Sequence, residues 1–91
     1  MTKRLTLKIS GMVHGVGYRY SAQNEARKRK FTGYVKNSDD GSVKLVVEGE
    51  EKDLKRFINW CYNGVGSATV HNIEQSWSEG ASEFSDFVIK F

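Results

Sequence analysis

The residues best suited to chemistry lie in one short stretch, Gly11-Met12-Val13-His14-Gly15-Val16-Gly17-Tyr18-Arg19. Its glycines allow backbone conformations that turn successive N–H groups toward one point, and the stretch leads into the N-terminus of a helix, where amides lack intrahelical partners. Arg19 closes it with a guanidinium that can grip phosphate oxygens through two parallel hydrogen bonds. The chemistry suggested is anion binding. The stretch lacks the Gly-Lys-Ser/Thr ending of a nucleotide-binding P-loop, and the chain is too short for the sheet that flanks a dinucleotide fingerprint. Read alone, it remains open to a plainer account: a glycine-rich turn between strand and helix, with Arg19 a surface charge.

Other reactive types are poorly placed. His14 and His71 are far apart and have no cysteine or paired acids at ligand spacing, so no metal centre is expected. Cys61 has no base near it in sequence and falls on the apolar stripe of a helix, which makes it core filler rather than a nucleophile or disulfide partner. Asp39-Asp40-Gly41 lacks the alternating acids of a calcium loop and reads as a turn. Asn37, just before it, reads locally as a residue capping that turn.

The elements that position the loop follow from periodicity. Leu5, Leu7 and Ile9 alternate with Thr6, Lys8 and Ser10, predicting a strand over about 3–11 with one buried face. Residues 21–30 have helix-forming composition, with Tyr18, Ala22 and Ala26 as the inner face and Arg27 through Lys30 against the negative helix end. Segments 31–36 and 42–48 predict a hairpin. Residues 50–63 predict a second helix, because Leu54, Phe57, Ile58 and Cys61 recur at helical spacing. Strands over 69–77 and 84–91 close the chain, the latter expected to bury Phe87, Ile89 and Phe91. The order β-α-β-β-α-β plus a terminal strand implies an α+β, ferredoxin-like split βαβ sandwich, an antiparallel sheet with both helices on one face.

Length and composition agree. Ninety-one residues, 38% hydrophobic, allow one packed domain over 1–91 and exclude a disordered tail. The longest aliphatic or aromatic runs are 45–47 and 87–89, far below a membrane span. No signal-peptide core is expected near the N-terminus, so a cytoplasmic protein with no membrane partner is anticipated. The net charge of +3 divides unevenly: residues 1–36 carry nine Lys/Arg against one Glu, and residues 37–91 carry five against ten acids. An anionic ligand would be drawn to the first half.

Gly11-x-Val13-His14-Gly15-Val16-x-Tyr18-Arg19, followed by Gly33-Tyr34-Val35-Lys36-Asn37-x-x-x-Gly41-x-Val43 and Gly49, resembles the acylphosphatase family. The resemblance runs from Leu5 to Ile89. It implies a cofactor-free and metal-free hydrolase of small acyl phosphates, releasing carboxylate and inorganic phosphate. By motif position it implies that His14, Gly15, Val16, Gly17, Tyr18 and Arg19 bind the phosphoryl group, and that Arg19 and Asn37 are catalytic, Asn37 by orienting water. A monomer with no specific nucleic-acid partner is expected. The chain departs from the family in having His14 where Gln is common, Tyr18 where Phe is common, and Arg29-Lys30 where an aliphatic residue and Gly are usual. Tyr18 could thus bring an extra hydroxyl near the site, and Lys30 would strain a left-handed helix cap. A basic RNA-binding module on the same fold is the alternative, but residues 30–37 match the RNP1 pattern only in part: they fall on the second strand and end in Asn37. A non-catalytic phosphate-binding domain is a third reading.

Overall fold

The computed structural model describes residues 2–91. Its elements are β1 (Thr2–Met12), α1 (Tyr18–Lys28), β2 (Thr32–Asn37), β3 (Val43–Glu50), α2 (Glu51–Asn63), β4 (Thr69–Glu79) and β5 (Phe87–Lys90). They form one five-stranded sheet in the order β4-β1-β3-β2-β5. The first four strands pair antiparallel, as expected, whereas β5 runs parallel to β2 and makes the sheet mixed. Leu5, Leu7 and Ile9 of β1 and Val43, Leu45 and Val47 of β3 bury their side chains with Ala22 and Ala26 of α1 and Leu54, Phe57, Ile58 and Cys61 of α2. Both helices therefore share one face of the sheet. Within this core, burial pushes the Cys61 thiol up to about 12, so it stays protonated and inert at neutral pH.

The expected terminal strand is shorter than its sequence pattern. Phe87 is buried and Ile89 packs at the core margin, but Phe91 is 92% exposed, beyond the strand's end. Phe84 lies on the segment that carries the chain from β4, at one edge, to β5 at the other. It meets the Tyr34 ring edge-on and lies under the Arg4 guanidinium. That crossing is pinned by Glu48, only 3% exposed. Its carboxylate accepts hydrogen bonds from Arg4 and from the backbone N–H groups of Ala81 and Ser82. Burial opposes the Glu48 charge, yet the Arg4 guanidinium and the two amides outweigh it and hold the carboxyl below its ordinary range.

Helix α1 begins at Tyr18, three residues before the helix-forming composition suggested, and ends in a Schellman arrangement. Phe31 N–H donates to the Ala26 carbonyl at 2.9 Å and Lys30 N–H to Arg27 at 3.0 Å. Lys30 occupies the left-handed position, with φ 63°. The helix thus keeps the left-handed cap despite the missing glycine, instead of ending differently, and Lys30 carries the strain. Arg29 compensates in part: it donates to Glu25 at 2.7 Å, and its guanidinium lies 6.0 Å from the Phe57 ring centre.

Two stability measurements follow. Lys30→Gly relieves the left-handed strain and should stabilise the fold by about 0.5–1 kcal/mol, raising the melting temperature by a few degrees. An unchanged or lower melting temperature would show that Lys30 is not strained. Because the Glu48 pKa is lowered on folding, its contribution is present above the unfolded carboxyl value of ~4.3 and is lost as pH falls through the folded value. The melting-temperature gap between wild type and Glu48→Gln should therefore be widest near neutrality and close in acid.

Candidate active site

The loop between β1 and α1 encloses a cavity of about 220 Å³ lined by Val13, Gly15, Gly17, Tyr18, Arg19, Tyr20 and Asn37. Gly15 and Gly17 take φ of 71° and 76°, the left-handed region, and open space surrounds the position of a Cβ at either. Their requirement is conformational rather than steric. Ser21 N–H makes the first intrahelical bond, to the Gly17 carbonyl at 3.1 Å. The N–H groups of Tyr18, Arg19 and Tyr20 precede it at the positive end of the helix, beside the cavity.

Arg19 is half-buried and has no carboxylate partner among the described residues. Its guanidinium lies 4.9 Å from the centre of the Phe91 ring, a cation–π contact that leaves its N–H donors free of competing acids. Across the cavity stands Asn37, at the end of β2. Its Oδ1 is buried and has no hydrogen-bond partner among the described residues. A buried acceptor without a partner carries a desolvation cost of about 1–3 kcal/mol, and functional sites are where such groups persist. Turn-capping does not explain it. The hairpin is closed by Ser38 N–H donating to the Ser42 carbonyl at 2.8 Å and by the Ser42 N–H and hydroxyl donating to Asp40 at 3.0 and 2.6 Å. Those bonds, with Lys8 at 3.2 Å, bring the exposed Asp40 carboxyl down to about 2.

Of the residues singled out in the sequence, Gly15, Gly17, Tyr18, Arg19 and Asn37 line the cavity, and His14 and Val16 do not. The His14 ring turns away and its Nε2–H donates to the Ser42 carbonyl at 2.8 Å, tying the loop to the hairpin that carries Asn37. The Val16 carbonyl accepts from the Ser67 hydroxyl at 3.0 Å. Tyr18 contributes backbone only. Its side chain is 1% exposed and its hydroxyl donates to the Cys61 carbonyl at 2.6 Å, so the extra hydroxyl lies in the core instead of near the site; burial drives its pKa up. The sequence reading missed Val13 and Tyr20. Val13, being in the motif, could have been read as the apolar floor, whereas Tyr20 carries no pattern that separates it from any exposed helix residue. A larger depression of about 350 Å³ beside Lys3 and Glu51 is lined by charges already paired, Lys3 with Glu79 and Lys55 with Glu51.

Known proteins resemble the chain throughout. The family model described as acylphosphatase matches residues 5–89. An acylphosphatase of Caldanaerobacter subterraneus subsp. tengcongensis is 42% identical over 89 residues, covering 98% of this chain and 99% of that protein. One of Geotalea uraniireducens is 41% identical over 91 residues and covers both chains fully. The crystal structure of acylphosphatase from Bacillus subtilis superposes with a TM-score of 0.93 at 37% identity, covering 98% of this chain and 99% of that one.

The placement of the Tyr18 hydroxyl has a direct check. Tyr18→Phe leaves the Cys61 carbonyl without this donor and should lower stability by about 1 kcal/mol, while inhibition by inorganic phosphate stays unchanged. Altered phosphate inhibition with an unchanged melting temperature would put the hydroxyl in the site.

Proposed function

Since the chain belongs to the acylphosphatase family and is an enzyme that hydrolyses acyl phosphates, we propose that Arg19 and the amides of the 15–20 segment hold the phosphoryl group while Asn37 orients the attacking water. The observation that carries this reading is Asn37, whose Oδ1 is buried and unpartnered among the described residues, lining the same cavity as an Arg19 without a carboxylate partner. An acyl phosphate has a good leaving group and reacts through a loose transition state, so positioning and charge stabilisation can supply most of the rate. Water held by Asn37 attacks phosphorus as the bond from phosphorus to the acyl oxygen breaks, and the carboxylate leaves with that electron pair. Arg19 and the loop amides meet the equatorial oxygens, where charge is redistributed. A carboxamide cannot accept the water's proton at neutral pH, so a phosphoryl oxygen takes it. No metal or cofactor enters these steps.

His14 belongs to this reading as a positioning residue. Its bond to Ser42 fixes the cradle relative to Asn37, and a Gln amide could make the same bond. We also read the protein as a monomer that acts in the cytoplasm on small acyl phosphates. Among the described residues no helix is long and apolar enough to cross a membrane.

Phosphate release from acetyl and benzoyl phosphate, with chelator present, tests the assignment. Asn37→Ala should lower kcat by about 10²-fold or more with little change in inhibition by phosphate, whereas Arg19→Ala should lose both turnover and inhibition. His14→Ala should lower kcat with the melting temperature preserved, and His14→Gln should restore it. Near-normal kcat in Asn37→Ala with a lowered melting point would remove Asn37 from the chemistry.

A further inference from the structure

The sheet face opposite the helices carries a charge pattern that hydrolysis of small acyl phosphates does not use. Lys8 of β1 pairs with Lys44 of β3, Lys44 with Lys36 of β2, and Lys36 with Lys90 of β5. Directly paired residues project from the same face, so four adjacent strands each contribute one lysine to a continuous row, which ends at Glu74 of β4, the partner of Lys8. The flanking Leu7, Ile9, Val35, Val43 and Leu45 point into the core, which places the row on the outer face. Like charges set opposite one another destabilise a sheet. Among the described residues only Lys8 finds a carboxylate, Asp40 at 3.2 Å. Lys90 and Lys44 instead lie 4.1 and 6.0 Å from the centre of the Tyr34 ring.

The next row on this face is uncharged: Thr6, Val46, Tyr34 and Val88 are in register, with Tyr34 half-buried and Val88 exposed. We propose that the outer face binds single-stranded nucleic acid without reading its sequence, phosphates along the lysine row and bases against Tyr34 and Val88 beside it. The row spans three strand spacings, about 14 Å, a length suited to a few consecutive phosphates. Acids bound it: Asp39 and Asp40 at the hairpin tip, Glu83, bonded to Arg4, on the crossing segment, and Glu74 at the β4 end of the row. What remains is a track one row wide, which fits a strand better than a duplex or a membrane surface. A charged track beside an aromatic ring is the general recipe for sequence-tolerant single-strand binding. This surface differs from the RNP1-like reading of residues 30–37, because it rests on lysines from four strands and on one aromatic. It is also separate from the phosphate cavity, which lies on the helix side.

The test is fluorescence anisotropy of a labelled oligothymidylate across a salt series. Wild type should bind at low salt with a log–log slope of about −3, roughly 0.7 per lysine. Lys44→Ala with Lys90→Ala should about halve that slope while acyl phosphate turnover persists, and removing Lys44 from between two like charges should not lower the melting temperature. Lys52→Ala with Lys55→Ala makes the same change in net charge on α2 and should bind like wild type, as should Arg19→Ala. The proposal is overturned if the Lys44/Lys90 variant binds unchanged, if the α2 variant weakens binding equally, or if Arg19→Ala abolishes binding. It is equally overturned if the oligonucleotide is not bound at low salt, or is bound less well than duplex DNA, inorganic polyphosphate or anionic vesicles.

Discussion

Val43 is paired with Ile9 of β1 on one side and with Asn37 of β2 on the other, and this double register sets the geometry of the candidate active site. The phosphate loop leaves β1 just beyond Ile9, and Asn37 ends β2 two strand spacings away, roughly 10 Å. A slip of one residue in either pairing would turn Asn37 to the outer face and away from the loop. The slip is opposed by the core itself, because it would also expose Val35 or bring Lys44 inward. The proposed site, with one arginine, several amides and one carboxamide in fixed relation, is thus held by the same contacts that bury Leu7, Leu45 and Val35.

That arrangement also sets how much could be read from the sequence. Period-2 alternation in β1 and the stripe of α2 are local signals, and both elements appear within a residue or two of their expected bounds. Tyr18, Ala22 and Ala26 were legible as a buried face for the same reason. What escaped depends on partners distant in sequence. The parallel pairing of β5 with β2 follows from the crossing segment, whose anchor joins Glu48 to Ala81 and Ser82. Phe91 continues the alternation of Phe87 and Ile89 and so reads as buried, yet the strand stops at Lys90 and the ring meets Arg19 instead. The glycine-rich stretch announced anion binding, but its anchors, the Ser42 carbonyl for the His14 ring, the Cys61 carbonyl for the Tyr18 hydroxyl and the Ser67 hydroxyl for the Val16 carbonyl, are named by no local pattern.

The two sheet faces divide the work of the chain. The inner face is closed by two helices and holds core and cavity together, whereas the outer face is crossed at one end by the segment around Phe84 and left as a lysine row at the other. The basic first half of the sequence is distributed accordingly. Arg19 lines the cavity, Arg27 and Arg29 pair with acids or pack on rings, and Lys8 and Lys36 join Lys44 and Lys90 on the far side. Net charge alone could not make that separation, since it assigns all these residues to one positive field.

The proposed mechanism, which uses no strong base, places its demand on rigidity, because fixed dipoles stabilise a transition state only when they need no reorganisation. The loop meets that demand by alternation. Val13, Gly15, Gly17 and Arg19 line the cavity, joined by Tyr18, while the intervening residues anchor to three different places: the His14 ring to the hairpin, the Val16 carbonyl to Ser67 ahead of β4, and the Tyr18 hydroxyl to the end of α2. Glycine at 15 and 17 supplies the left-handed turns this requires, at the expense of a backbone that would otherwise be loose. The anchors remove that looseness. Under that reading, tolerance at 14 is decided by whether the new side chain still donates to the Ser42 carbonyl, and tolerance at 18 by whether the ring still packs in the core, where loss of the hydroxyl costs stability without moving the backbone of the cradle.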